Sequence, residues 1–190
     1  MRVSWKSFIT VASVTCVVVF VGFVAKSAAQ SRNDKYAVKV PGGLAFSEFK
    51  GYEAWQVVSL SRNEKAMAVI LANPVMIDAY QAGVPGNGKP FPDGAKMAKV
   101  HWNPKKQEFF LETSVPGTQH DVDFMEKDAK RFADSGGWGY AAFEYDPATD
   151  AFRPADATDH PPQAHDARCG FACHTKVKAR DFVFTEYAHR

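Results

Sequence analysis

The chain has almost no excess charge, no internal repeat and no low-complexity tract. Its formal net charge is +2. The basic residues before position 30 are Arg2, Lys6 and Lys26, and no acid accompanies them. From residue 30 onward, 20 Lys and Arg stand against 21 Asp and Glu. That balance excludes the basic footprint that nucleic-acid binding requires. Cysteine is scarce too, with three in 190 residues: Cys16, Cys169 and Cys173. Aromatic residues, by contrast, are plentiful, with 15 Phe, 6 Tyr and 4 Trp. Such content builds a dense core and also suits a pocket for a large flat cofactor.

Two of the cysteines fall in the run Cys169-Gly-Phe-Ala-Cys173-His174. Two thiols followed directly by an imidazole is the pattern that attaches a c-type haem. The thiols add across the vinyl groups, and the histidine gives iron an axial ligand. The usual spacing has two residues between the cysteines; this chain has three, and Gly170 eases the backbone bulge that the extra residue calls for. A small-loop disulfide and a zinc site are the alternatives. Zinc needs about four ligands. His160, His165 and Asp166 lie nearby, but in a Pro-rich stretch without regular ligand spacing.

The start of the chain fits export. Arg2 and Lys6 precede an uncharged apolar stretch, Phe8 to Ala25, and Lys26-Ser-Ala-Ala29 follows. Residues 1–29 read as a signal peptide cleaved after Ala29, with an uncleaved membrane anchor as the alternative. Cys16 lies in the apolar stretch behind Ser13-Val14-Thr15, a poor lipoprotein box, and reads as filler. Residues 30–45 read as a linker, and 46–190 as one domain. Oxidising conditions outside the cytoplasm suit the Cys169/Cys173 pair, and the expected location is the periplasm.

Local patterns in the domain point to about five strands and a few short helices. Phe46 to Trp55 suggests a helical turn or two. Strands are expected at 55–60, 65–72, 96–102, 119–125 and 138–145. Asn73 and Pro74 mark a helix start, and Gly83 its end. Asn103-Pro-Lys-Lys106 reads as a turn, 107–114 as strand or helical turn, 127–132 as a short helix and 146–168 as a loop. A short helix is expected around Thr175–Arg180. The fold class is α+β: a predominantly antiparallel sheet, short peripheral helices and the haem-attachment motif near the C-terminal end.

Three segments in order resemble the cytochrome P-460 family and its relative cytochrome c′-beta. They are Phe91-Pro-Asp-Gly-Ala-Lys-Met-Ala-Lys99; Lys127 to Phe132 running into Gly137-Trp138-Gly139; and Cys173-His174 followed by Lys178-Ala-Arg-Asp-Phe-Val-Phe184. The resemblance implies an antiparallel sheet, often a homodimer, and a haem with histidine on one side and an open site on the other. It implies haem c as cofactor, with His174 on iron and Cys169 and Cys173 as tethers. In the P-460 branch a lysine is bonded to the haem edge, and the matching position is Lys99. An acidic group above the haem in hydroxylamine-oxidising members matches Asp123 most nearly. The c′-beta branch lacks the cross-link and binds nitric oxide in an apolar pocket. The expected activity is oxidation of hydroxylamine or related nitrogen oxides, with electrons passing to a partner cytochrome; nitric oxide binding or plain electron transfer are the alternatives.

Alternation along 96–102 puts Met97, Lys99 and His101 on one strand face and Lys96, Ala98, Val100 and Trp102 on the other. Met67, Met76, Met97 and Met125 each offer a sixth iron ligand but read as core filler. His101, His120, His160, His165 and His189 read as surface residues.

Overall fold

The computed structural model describes residues 34–38, 40, 43–155 and 168–188. The leader and its choice between cleaved signal and anchor lie outside them, as do His160, His165 and His189. Among the described residues no helix is long and apolar enough to cross a membrane.

Six strands form one antiparallel sheet in strictly sequential order: β1 (Gln56–Arg62), β2 (Met67–Ala72), β3 (Lys96–Lys106), β4 (Ser114–Lys127), β5 (Trp138–Asp146) and β6 (Ala151–Pro154). Helix α1 (Pro74–Gln81) joins β2 to β3, and α2 (Arg168–His174) follows the sheet. The α+β expectation holds, with six strands where about five were read. The added one, β6, lies in the stretch expected to be a loop.

The stretch 103–106 is a second correction. It continues β3 instead of turning, and β4 is correspondingly long, so the reversal falls at 107–113. Pro104 pairs with Pro116 there. This is tolerable because both prolines lie beyond the ends of their other neighbours: β2 reaches only to Trp102 and β5 only to Asp121. Each missing N–H therefore faces an unpaired edge. The expected helix at 127–132 is also corrected. Lys127 ends β4, turns follow, and the only helical piece is a 3-10 turn at Ala133–Ser135.

Helix α1 starts where Asn73 and Pro74 predict. The Asn73 side-chain oxygen accepts from Met76 N at 3.1 Å and also from Lys96 N at 3.0 Å, tying the helix cap to β3. Pro74 supplies a first helical residue with no N–H to satisfy.

The sheet is covered on both faces. One face carries Leu71, Ala98, Val100, Val122, Phe124 and Phe143 under the short 3-10 turns of residues 46–54. Phe49 stacks on Phe124 with centroids 4.1 Å apart, and Phe46 wedges against Phe143 at 4.6 Å. Lys35 and Tyr36, within the expected linker, pair with Glu53 beside this cluster. The other face carries Ile70, Met97, Met125, Trp138 and Tyr140 under α1, α2 and the segment 182–188. Tyr80 Oη donates to Thr185 O at 2.9 Å, and Ala188 N donates to Val58 O at 3.3 Å, which lays that segment across α1 and β1. Met76, Met97 and Met125 are buried filler of this second cluster.

Candidate functional site

The motif segment is a helix, not a bulged loop. Positions 169 and 173 are four residues apart within α2, one helical turn along the chain. The extra residue relative to the usual spacing is absorbed by helical geometry. Gly170 has a different task from the expected one. A Cβ there would lie 2.9 Å from Tyr140 Cγ, so glycine is what lets α2 press onto β5. Cys173 is an exposed free thiol.

His174 ends α2 and is half-buried, between the rings of Tyr140 and Phe184, each with its centroid 5.1 Å away. Its Nδ1 lies 2.6 Å from Phe182 O. A carbonyl only accepts, so Nδ1 carries the proton and donates. Nε2 is left with its lone pair free, the arrangement in which a histidine binds a metal. Burial lowers the imidazole pKa below its ordinary value, and the charge of Lys99 acts in the same direction. Both favour the neutral, ligating ring.

That influence of Lys99 on His174 fits the register. Across the sheet, Ile70, Lys99, Asp123 and Ala142 form one row of directly opposed residues. The adjoining rows are Ala72, Met97, Met125 and Tyr140 on one side, and Ala68, His101, Asp121 and Glu144 on the other. All these rows share the face that carries α2. Two candidates chosen 24 positions apart, Lys99 and Asp123, are thus cross-strand neighbours on the His174 side of the sheet.

Asp123 has a side chain 49% exposed, yet protein closely surrounds its carboxyl on the other sides. Burial and the neighbouring Asp121 carboxylate push its pKa up to about 6, against the pull of His101 and Lys99. Asp121 behaves oppositely. Burial alone would raise it, but His101 and His120 beside it hold it below its ordinary value. His101 is not the surface residue that was expected: it is half-buried, and its Nδ1 abuts the Asp121 carboxylate and lies 3.9 Å from Asp123 Oδ2. His120 is exposed and meets Asp121 at 2.7 Å.

Sequence reasoning missed several contributors. Tyr140 forms the bed for both Gly170 and His174, and its buried hydroxyl has no hydrogen-bond partner among the described residues. Phe182 contributes through its carbonyl, which no side-chain pattern reveals. Lys127 and Asp181 form an ion pair behind it at 2.8 Å. Both belong to the segments that carry the family resemblance, and no local pattern marks their pairing.

A sheet face over which α2 sets a histidine with its Nε2 directed away from the Phe182 carbonyl, among the rings of Tyr140 and Phe184, is the design of a haem-binding domain. The residues fit that group: the donor set is right, and α2 is pressed into place by a glycine that any larger residue would displace. The family model described as cytochrome P460 matches residues 49–185, and the chain belongs to that family. No curated protein matches the chain.

Proposed function

We propose that this is an exported haem enzyme that oxidises hydroxylamine at the sheet face bearing Lys99 and Asp123. The observation that carries the reading is the direct pairing of Lys99 with Asp123 across β3 and β4, on the side of the sheet where α2 holds His174. Cys169 and Cys173 tether the haem and His174 Nε2 binds its iron. The haem, when bound, supplies an iron that holds the substrate nitrogen and accepts electrons one at a time.

The chain's own residues handle protons and position. Oxidising hydroxylamine to nitroxyl releases two protons and two electrons. Asp123, with its pKa near 6, accepts a proton close to neutral pH. The electrons leave in two single steps to an external cytochrome. Lys99 would be the residue that presents its amine to the ring edge. Bonding that nitrogen to a ring carbon removes one hydrogen from each and two electrons, so it needs a two-electron oxidant such as a peroxide. The Tyr140 and Phe184 rings hold the imidazole plane. We place the protein in the periplasm as a homodimer, with the leader cleaved or kept as an anchor.

Gas binding without catalysis is favoured by one observation: β2 contributes only Ala68, Ile70 and Ala72 to this face. A nitric oxide pocket against β2 would be apolar, with Lys99 as an ordinary strand residue. A tryptic digest of haem-loaded protein separates the readings. We expect the peptide containing Lys99 to carry the haem mass, and Lys99→Leu to abolish hydroxylamine oxidation while nitric oxide still binds. Full recovery of free, unmodified Lys99 peptide favours the gas binder.

A further inference from the structure

Three stretches that resemble the family most closely are far apart in sequence, yet they meet at one buried ion pair. Lys127, at the end of β4, is 5% exposed. Its Nζ donates to Asp181 Oδ1 at 2.8 Å, to Asp181 Oδ2 at 3.0 Å and to Gly136 O at 3.0 Å. It also lies over the Trp138 ring, 5.1 Å from the centroid. Asp181 Oδ2 accepts in turn from Phe91 N at 2.8 Å. The Phe91 turn, the Gly136-Gly137 corner and the segment after the haem motif are thereby joined.

The joined segment is strained. Asp181 and Phe182 both have positive φ, 48° and 63°. Such conformations are costly in non-glycine residues and persist only where their surroundings impose them. Gly136 is part of that imposition, since a Cβ there would lie 2.2 Å from the Phe182 ring. The product of the strained turn is one carbonyl, Phe182 O, aimed at His174 Nδ1. A buried ion pair is weak evidence for stability, because apolar residues of similar volume serve as well or better. Its position behind this carbonyl offers another reason for it.

We propose that Lys127 is a positioning residue for the axial histidine. By clamping Asp181 it fixes the Phe182 carbonyl, which holds the His174 proton and raises the basicity of Nε2 toward iron. Hydrogen bonds of this kind set ligand strength and haem potential. The inference rests on His174 being the iron ligand.

The test uses full-length haem-loaded protein. Lys127→Met keeps the apolar stem and removes the ammonium. Released from the clamp, the carbonyl moves off Nδ1. The iron–histidine stretch of the ferrous protein should then shift to lower frequency, and the midpoint potential should rise by about 59 mV, a tenfold change in the one-electron equilibrium. The sign is diagnostic. Simple loss of a nearby positive charge would lower the potential, because a cation favours the reduced state. Asp181→Asn, which tolerates the left-handed backbone and can still accept from Phe91 N, should move the iron–histidine band the same way. It carries the test if Lys127→Met fails to fold. An unchanged band in the folded variants, or a lower potential in Lys127→Met, overturns the proposal. A wild-type protein whose ferrous haem is five-coordinate yet shows no iron–histidine band would instead remove the ligand assignment, and this inference with it.

Discussion

The two faces of the sheet are built from the same strands but differ in what they leave unfinished. The face under residues 46–54 is closed by aromatic packing: Phe46, Phe49, Phe124 and Phe143 are all at most 3% exposed. The face under α2 contains a half-exposed Asp123, a half-buried Lys99 and His101, and buried Trp138 and Tyr140 polar atoms without partners among the described residues. Buried polar atoms are normally satisfied. Four of the five such atoms among the described residues lie on this face, Glu126 Oε2 being the exception on the other, so the sheet divides its labour: one side is mostly core, the other a platform.

The division is sharpened most by Phe124→Ala. Removing a ring that touches Phe46, Phe49, Tyr52 and Phe143 should cost about 3–5 kcal/mol by denaturant unfolding. The fraction still folded should bind nitric oxide with unchanged affinity. If affinity falls with stability, the faces are not independent. Next in size is Gly170→Ala on the platform side. Overpacking against Tyr140 should cost about 1–3 kcal/mol, read by denaturant unfolding of the folded protein.

Asp123→Asn should abolish most hydroxylamine oxidation while stability moves little. Its folded pKa is raised, so the wild-type group carries no penalty below the unfolded value near 3.8 and costs stability as pH rises through about 6. The variant should therefore gain stability at pH 8, by less than about 1 kcal/mol because the side chain is half exposed. The gain should vanish below pH 4. A gain that grows on acidification would place the carboxyl among stabilising partners instead. The smallest effect belongs to neither face. Phe110, 70% exposed at the β3–β4 turn, should change stability by under about 0.5 kcal/mol when replaced by Ser.

Much of the platform was legible in the sequence, for reasons that differ by residue. Cys173-His174 is readable because attachment chemistry needs adjacent groups. The β2 run and the Asn73-Pro74 cap are readable because burial and capping act locally. Lys99 and Asp123 came only through family resemblance, since β3 alternation gave no cleanly apolar face: both sides of β3 are in fact covered. Helix α2 was hidden because glycine and cysteine are poor helix formers, and its packing on Tyr140 is tertiary. Strand β6 was hidden by Pro154 and the turn residues ahead of it. Neither the Phe182 carbonyl nor the Lys127 clamp has a local signature, because each depends on contacts between segments about 50 residues apart or on backbone direction.

The strictly sequential strand order has a consequence for how the chain acquires its shape. Each strand pairs with the one just before it, so every ladder closes over a short interval and little chain entropy is lost at each step. Distant pairings lie outside the ladders: Arg131 with Glu48 ties in the segment that precedes the sheet, and Lys127 with Asp181, Tyr80 with Thr185 and Val58 with Ala188 tie in the one that follows it. The last three fasten the segment that follows the sheet. The meander can therefore assemble as a template by itself, while the segment bearing Cys169, Cys173 and His174 docks afterwards. On the proposed function, haem would then meet Cys169 and Cys173 on undocked chain, and closing the Lys127–Asp181 pair would be the last step.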